Sequence, residues 1–371
     1  MTSMTDSPLI AVAGAGLAGS LLSLALLKQG CRVALIDPKP SFSPGLVRND
    51  GRSTAVMSQG LKLLADLGLA DALMPVSEPL WYLRLIDGEA ALTRKPDIIT
   101  FDAREVGQGP FAQNVPNAAM LAETYKAIES QPNFQAFSSR KITGIEKAPD
   151  HLRLSMSDGS QLEAAVLLAA DGRGSFVREH LGLRSQKRAT DQATFTFAVE
   201  HSRPHSNIST EFHYACGPLT FVPMPPNETA HRSAVVWSRT AADAQALNQG
   251  PIEDLVAELQ RCSHGILGQL SLALDPYLIH QAPILAQDLV QGRVALLAEA
   301  AHALPPIGAQ GLNLTMGDIA CLIDLLSEAS DPGEAALLAA YARARKPDMM
   351  ARYLGTNTLD RITGSRSWMA K

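Results

Sequence analysis

The chain has 371 residues, enough for two domains or one large α/β unit. Its 46% hydrophobic and 19% charged residues are ordinary globular composition, and a net charge of −5 gives no electrostatic case for nucleic acid. The four cysteines (Cys31, Cys216, Cys262, Cys321) show no C-x-x-C or paired spacing, so they read as reduced thiols of a cytosolic protein rather than a disulfide or zinc framework.

Met1 to Pro8 carries no basic segment ahead of Leu9, so no signal peptide is expected. The strand–turn–helix–strand order comes next: an apolar run Leu9–Ala13, glycines, a helical period over Ser20–Gln29, and a buried-type strand Cys31–Ile36. That is the βαβ pattern of a parallel sheet. Helices are expected over Gly60–Leu73 and Pro116–Glu129, and a hairpin over Leu152–Met156, the turn Ser157–Ser160 and a strand into Ala165–Ala170. Thr194–Val199, Ser209–Tyr214, Thr220–Met224 and Arg232–Arg239 are strand-like and set off by Gly and Pro, which suggests an inserted antiparallel sheet. Ile252–Leu270 reads as a broken helical region, Arg293–Leu297 as a buried strand, and Asn313–Glu328 as an amphipathic helix.

Apolar runs such as Leu24–Leu27 and Ala164–Ala170 fall short of the ~20 residues of a spanning helix. The expected location is therefore the cytoplasm, in solution or on the inner face of a membrane. From Tyr341 onward seven basic residues (Arg343, Arg345, Lys346, Arg352, Arg361, Arg366, Lys371) face only Asp348 and Asp360. This is either a solvated helix face or a contact for anionic headgroups, where each cation would add roughly 1 kcal/mol.

Three segments carry the chemistry. In Gly14-Ala15-Gly16-Leu-Ala-Gly19, Gly14 permits a tight turn, Gly16 lets the backbone approach a pyrophosphate, and Gly19 allows close helix–strand packing. Asp37 ends the next strand, 23 residues after Gly14, where an acid would bind the adenosine ribose of a dinucleotide. Ala169-Ala-Asp171-Gly172-Arg-Gly-Ser175 closes a buried strand and opens the helix Phe176–Leu181; taken alone, Asp-Gly there is commonly only a turn. Ala298-Glu299-Ala-Ala-His302 follows the Arg293–Leu297 strand. It leads through Pro305-Pro306 into Gly308-Ala-Gln310-Gly311-Leu312-Asn313. That layout can set a carboxylate on a sugar hydroxyl and a helix N-terminus on an electron-rich ring. His302 reads as a structural imidazole, since no His, Cys or acid pattern around it supports a metal.

In this order and spacing, the three segments resemble the flavoprotein aromatic hydroxylases of the para-hydroxybenzoate hydroxylase type, and more closely the ubiquinone-biosynthesis hydroxylases. That family's third segment typically runs Gly-Asp-Ala-Ala-His, a proline, then Gly-Gln-Gly-Leu-Asn. Gly51-Arg52-Ser-Thr-Ala55, Val115-Pro-Asn117, Asp191–Ala193, Gly217–Leu219 and Ser233–Trp237 are similar to its other signatures.

The resemblance implies an α/β fold: a Rossmann-like, three-layer (ββα) FAD-binding domain with an inserted, mostly antiparallel substrate domain. The FAD-binding part would take residues 1–72, 100–185 and 284–371, and the β-rich part residues 73–99 and 186–283. It further implies an extended FAD, with adenosine at Asp37, pyrophosphate at Gly14–Gly19, and Arg52, Asn117, Asp171 and Gly172 near its middle. Glu299 would take the ribityl side, and Pro305, Gly308, Gln310, Gly311, Leu312 and Asn313 the flavin. The implied reaction takes electrons from NAD(P)H and oxygen from O2 and hydroxylates a polyprenylated phenol. It needs little acid–base machinery and identifies no catalytic side chain; His213 and Tyr214 read as packing. A homo-oligomer and a membrane or biosynthetic-complex contact stay open.

Three departures stand out: Ala298-Glu299 for Gly-Asp, Thr315-Met316 for a glycine-containing continuation, and a short end after Leu359 without the family's usual final helix. These leave room for a FAD-bearing scaffold, and a soluble aromatic acid remains an alternative substrate. A halogenase is disfavoured because Trp81, Trp237 and Trp368 are isolated and form no Trp-x-Trp-x-Ile-Pro segment.

Overall fold

In a computed structural model, residues 7–91, 98–327 and 329–363 are described. The first strand, Leu9–Ala13, lies at the centre of a six-stranded sheet. Across that sheet run Val290–Gln291, Val294–Leu296, Val166–Ala169, Leu9–Ala13, Arg32–Ile36 and Phe134–Phe137, parallel throughout except at the Val290–Gln291 edge. Its central strands read as continuous apolar runs because both faces are covered. The helices Leu17–Lys28, Asn117–Glu129 and Gln310–Leu326 pack on one side, sharing a core with Leu22, Leu26, Tyr125, Met316 and Ile319. A three-stranded antiparallel sheet, Ile142–Lys147, Leu152–Met156 and Gln161–Ala164, lies with the other. The layers are thus sheet, sheet and helix, the three-layer arrangement expected.

Each of the three motifs, and Asp37 with them, follows a strand of the parallel sheet. Gly14 follows Leu9–Ala13, Asp37 follows Arg32–Ile36, Asp171 follows Val166–Ala169, and Glu299 follows Val294–Leu296. Carboxyl ends of neighbouring parallel strands therefore gather the motifs on one edge, where ligands bind in such folds.

The second large sheet has seven strands: Leu270–His280, Gln192–His201, His231–Thr240, Gly217–Met224, Ile208–Tyr214, Tyr82–Asp87 and Ile98–Asp102. All pairs are antiparallel except Ile208–Tyr214 with Tyr82–Asp87. Phe195, Phe197, Phe212, Phe221, Val235 and Trp237 point to one face and pack with Leu255 and Leu259 of the helix Ile252–Cys262. Ala198, Met224 and Ala234 alternate to the opposite face, with Val222 and Leu274 beside them. The Ile98–Asp102 strand runs across the 99/100 boundary read from the sequence.

Several elements differ from expectation. Gly60–Leu73 is two helices, Ser58–Asp66 and Ala70–Leu73, because Gly68 takes φ +69° and ends the first. The second half of Ile252–Leu270 is turns around His264, Gly265 and Gly268, all at positive φ, leading into the Leu270–His280 edge strand. The amphipathic helix begins at Gln310, three residues earlier than read, and ends at Leu326; Glu328 lies outside the described residues. A long helix, Ala335–Thr363, follows.

That last helix carries the described part of the basic tail. Arg345 and Arg352 are drawn inward onto carboxylates, Arg345 onto Asp318 and Arg352 onto Asp348 (both 2.8 Å). Arg343 and Lys346 line a cleft of about 560 Å³ with Leu181, Gln287 and Asp288. Arg366, Lys371, Trp368 and the side chain of Arg361 lie outside the described residues. Among the described residues no helix is long and apolar enough to cross a membrane.

Candidate functional site: a dinucleotide groove with a flavin end

Steric need accounts for the first turn. Gly14 has φ +99°, and a Cβ there would lie 2.4 Å from the Ala170 carbonyl oxygen; a Cβ on Gly19 would lie 1.9 Å from the Gly14 oxygen. Both obstacles are backbone and cannot yield. Gly16 differs: nothing stands within 4 Å of a Cβ placed there, so its face is open. It also caps the helix Leu17–Lys28, whose first turn has neither a side-chain cap nor an acidic residue. The amides there are free for an anion. Asp37 closes the turn, accepting from the Ala15 N–H at 2.7 Å and the Lys39 N–H at 2.8 Å. The Tyr125 hydroxyl donates to the Ala15 oxygen at 2.5 Å, and burial pushes its pKa up to about 12.

Asp171 does more local work than a nucleotide contact requires. Its carboxylate accepts from the Ser175 hydroxyl (2.5 Å) and the Val177 N–H (3.1 Å), holding the start of the helix Phe176–His180. Burial raises its pKa, outweighing the lowering by those two donors. Gly172, at φ +84°, has open space beside it.

Arg52 is half-exposed and paired with Asp50 at 2.7 Å. The strand that follows, Ser53–Val56, is clasped from two sides. Asn117 accepts from the Thr54 hydroxyl at 2.8 Å; Asn313 donates to the Ala55 oxygen (2.8 Å) and accepts from the Met57 N–H (2.9 Å). Asn313 thus fixes backbone directly, and Asn117 holds the strand through the Thr54 hydroxyl and through its own N–H on the Arg52 oxygen (2.9 Å), bracing roles that their place in the motifs did not disclose. Gly51 lies against the Phe197–Ala198 backbone, and the Asn114 amide donates to the Pro223 oxygen at 2.7 Å, so this region is also the seam with the seven-stranded sheet.

At the flavin end Glu299 stands out into solvent, 61% exposed, its nearest cation being Arg173 at 3.6 Å. Ala298 before it has φ +53°, and Ala309, which precedes the helix Gln310–Leu326, has φ +52°. Left-handed backbone at a non-glycine residue costs roughly 1–2 kcal/mol. In the family segment both positions are glycine, so this chain carries alanine where glycine is easiest. Gly311 is exposed with nothing within 4 Å of a Cβ, and that helix too lacks a side-chain cap and a first-turn acid. Gln310 donates to the Gly308 oxygen at 3.1 Å and accepts from Arg352. Pro305 is buried, while Gly308 is exposed and Leu312 packs on the helix-side core.

Two residues beneath this turn were not singled out from sequence. Asp318, fully buried, accepts from the Ala298 N–H (3.2 Å) and pairs with His302 (2.7 Å) and Arg345 (2.8 Å). Arg178, also buried, donates to the Ala300 oxygen at 2.8 Å and the Arg173 oxygen at 2.7 Å, tying the second motif to the third. A usable signal existed: Asp318 shares the apolar stripe of its helix with Leu314 and Leu322, and a carboxylate there needs a cation. His302, read as a structural imidazole, is buried against Asp318. Tyr214 packs in the sheet core, donating to the Cys262 oxygen at 2.6 Å; His213 is buried and pairs with Glu211 at 3.0 Å. Among the described residues no group of three or more His, Cys, Asp and Glu could hold a metal.

Two uncapped helix N-termini, three open glycines and carboxylates at successive strand ends suit an extended dinucleotide ending in a ring. The known proteins agree. Residues 8–353 match the family described as an FAD binding domain, and the chain belongs to that family. It is 30% identical to the ubiquinone hydroxylase UbiL of Rhodospirillum rubrum, over 95% of this chain and 81% of that one. It is 26% identical to the 3-demethoxyubiquinol 3-hydroxylase of Escherichia coli, over 90% and 83%. Among solved structures, PqsL of Pseudomonas aeruginosa, a probable FAD-dependent monooxygenase, superposes with a TM-score of 0.81 at 20% identity, covering 98% of this chain and 99% of its own. The protein is a FAD-dependent monooxygenase, and FAD is its cofactor.

Proposed function

We propose that this monooxygenase hydroxylates the ring of a polyprenylated phenol in ubiquinone biosynthesis, with reduced nicotinamide as electron donor and O2 as oxygen source. Relatives named for ubiquinone hydroxylation support the pathway. The observation that carries the substrate class is the apolar cluster on the sheet face opposite the helices, where Ala198, Met224 and Ala234 are buried beside the partly buried Val222 and Leu274. Such a surface suits an aromatic ring with a hydrocarbon tail.

On this reading residues 1–72, 100–185 and 284–371 hold the cofactor and 73–99 with 186–283 the substrate. Gly14, Ala15, Gly16 and Gly19 take the pyrophosphate, Asp37 the adenosine ribose, and Arg52, Asn117, Asp171 and Gly172 the middle. Glu299 meets the ribityl chain; Pro305, Gly308, Gln310, Gly311, Leu312 and Asn313 border the flavin. When bound, FAD supplies the redox chemistry and the activation of O2. The chain's own work is to bind, orient and exclude water, with the N-terminus of Gln310–Leu326 turned to the ring edge where negative charge collects on reduction.

A soluble aromatic acid is the second reading. It is favoured by Arg232, which pairs across the sheet with Met224 and stands at the end of the same face. The test is NAD(P)H oxidation by the FAD-loaded protein with a short-chain prenylphenol or an aromatic acid, with product identified by mass spectrometry. Stimulation and a hydroxylated prenylphenol are expected. Hydroxylation of the acid alone, or hydrogen peroxide as the sole product with every phenol, contradicts the proposal.

A further inference from the structure

We propose that Asp318 is the positioning residue for the flavin end of the cofactor site, acting through the left-handed backbone of Ala298. The inference rests on the reading that Glu299 faces FAD. Ala298 cannot hold φ +53° without restraint, since its Cβ crowds the chain there. Its N–H is donated to Asp318 Oδ2 at 3.2 Å, and the same oxygen takes the His302 Nε2 bond at 2.7 Å. The other oxygen takes Arg345 Nε at 2.8 Å. The carboxylate and the imidazole have no exposed surface, and Arg345 has little. A buried anion held from three sides is a rigid anchor, and what it anchors is the one backbone step that decides where Glu299 stands.

The rest of the turn is pinned as well. The Ala298 oxygen accepts from the Ala301 N–H at 2.9 Å, and the Ala300 oxygen accepts from Arg178 at 2.8 Å. Only the Glu299 side chain reaches outward. With glycine at position 298 the left-handed step would form unaided; with alanine it depends on Asp318. The alanine and the buried anion are therefore one device, and this coupling distinguishes a positioning role from a merely structural one.

The experiment is a double-mutant cycle on the full chain, reading the FAD dissociation constant of the apo-protein by flavin fluorescence, with apo melting temperature in parallel. Asp318→Asn is expected to weaken FAD binding about ten-fold, and the same change in the Ala298→Gly background no more than about three-fold. Equal losses in both backgrounds, or an unchanged dissociation constant with a lowered apo melting temperature, overturn the proposal. Should Asp318→Asn fail to fold in either background, Arg345→Lys takes its place. It keeps the charge and loses the Nε bond, and a roughly three-fold loss relieved by Ala298→Gly is expected. Arg345→Lys with wild-type affinity overturns the proposal. A wild-type apo-protein that takes up no FAD would instead sink the cofactor-site reading beneath it.

Discussion

Two turns at the ends of parallel strands of one sheet, those before Gly14 and before Ala298, meet the demand for left-handed backbone in opposite ways. At Gly14–Gly19 the demand is met by leaving the side chain out, with Ala170 and Gly14 carbonyls standing where a Cβ would go. At Ala298 and Ala309 the side chain is kept, and the left-handed step is held by neighbours: Asp318 on the Ala298 N–H, and the Asn313 amide on the Ala309 oxygen at 2.8 Å. The first solution is rigid by exclusion. The second leans on neighbours, a buried anion at Ala298 and a first-turn amide at Ala309, so the Ala298 step can be tuned by Asp318 from beneath the site.

The largest expected effect breaks the first turn. Gly19→Ala places a Cβ on the Gly14 carbonyl, in the turn that leaves the central strand of the six-stranded sheet, and a loss of more than about 3 kcal/mol, or failure to fold, is expected in chemical denaturation. A variant within about 1 kcal/mol of wild type would show that the turn has slack. The opposite substitution at the second turn should be mild and of opposite sign. Ala298→Gly relieves the left-handed cost but frees the unfolded chain, so a change between zero and about +1 kcal/mol is expected. A clear destabilisation would mean that Ala298 is not strained.

The smallest effect is a slope. Burial raises the Asp171 carboxyl pKa, so the folded state holds its proton more tightly than the unfolded chain does. Its contribution to stability is therefore greatest when protonated and declines as pH rises from about 4 through the raised folded value. Asp171→Asn, neutral at every pH, should fall less steeply over that window in a melting-temperature series. An unchanged slope would show that the carboxyl titrates normally.

Much of the cofactor half was legible because its signals are local. Glycine spacing, the strand before it and Asp37 after it all lie within Leu9–Asp37, and Glu299 ends a strand whose apolar run is continuous. The anchors were not legible, because their partners are distant. Asp318 meets Ala298 twenty residues away and Arg345 twenty-seven away, and Arg178 meets Ala300 across 122 residues. The strands Tyr82–Asp87, Ile98–Asp102 and Leu270–His280 escaped notice for a related reason. They lie at or near the edges of the seven-stranded sheet and are only partly buried, so their apolar signal is weak. Gly68 was visible in the sequence, but a glycine inside an apolar helical period does not by itself say that it will turn left-handed and end the helix.

The groove itself is tested most directly at the two glycines that need no space in the protein alone. Gly16 and Gly311 have nothing within 4 Å of a Cβ, so a valine at either place meets no protein atom at its first carbon. If the pyrophosphate lies on one and the flavin on the other, Gly16→Val and Gly311→Val should melt within a few degrees of wild-type apo-protein and take up no FAD in a fluorescence titration. Either variant binding FAD with wild-type affinity would contradict the site described for that end of the cofactor.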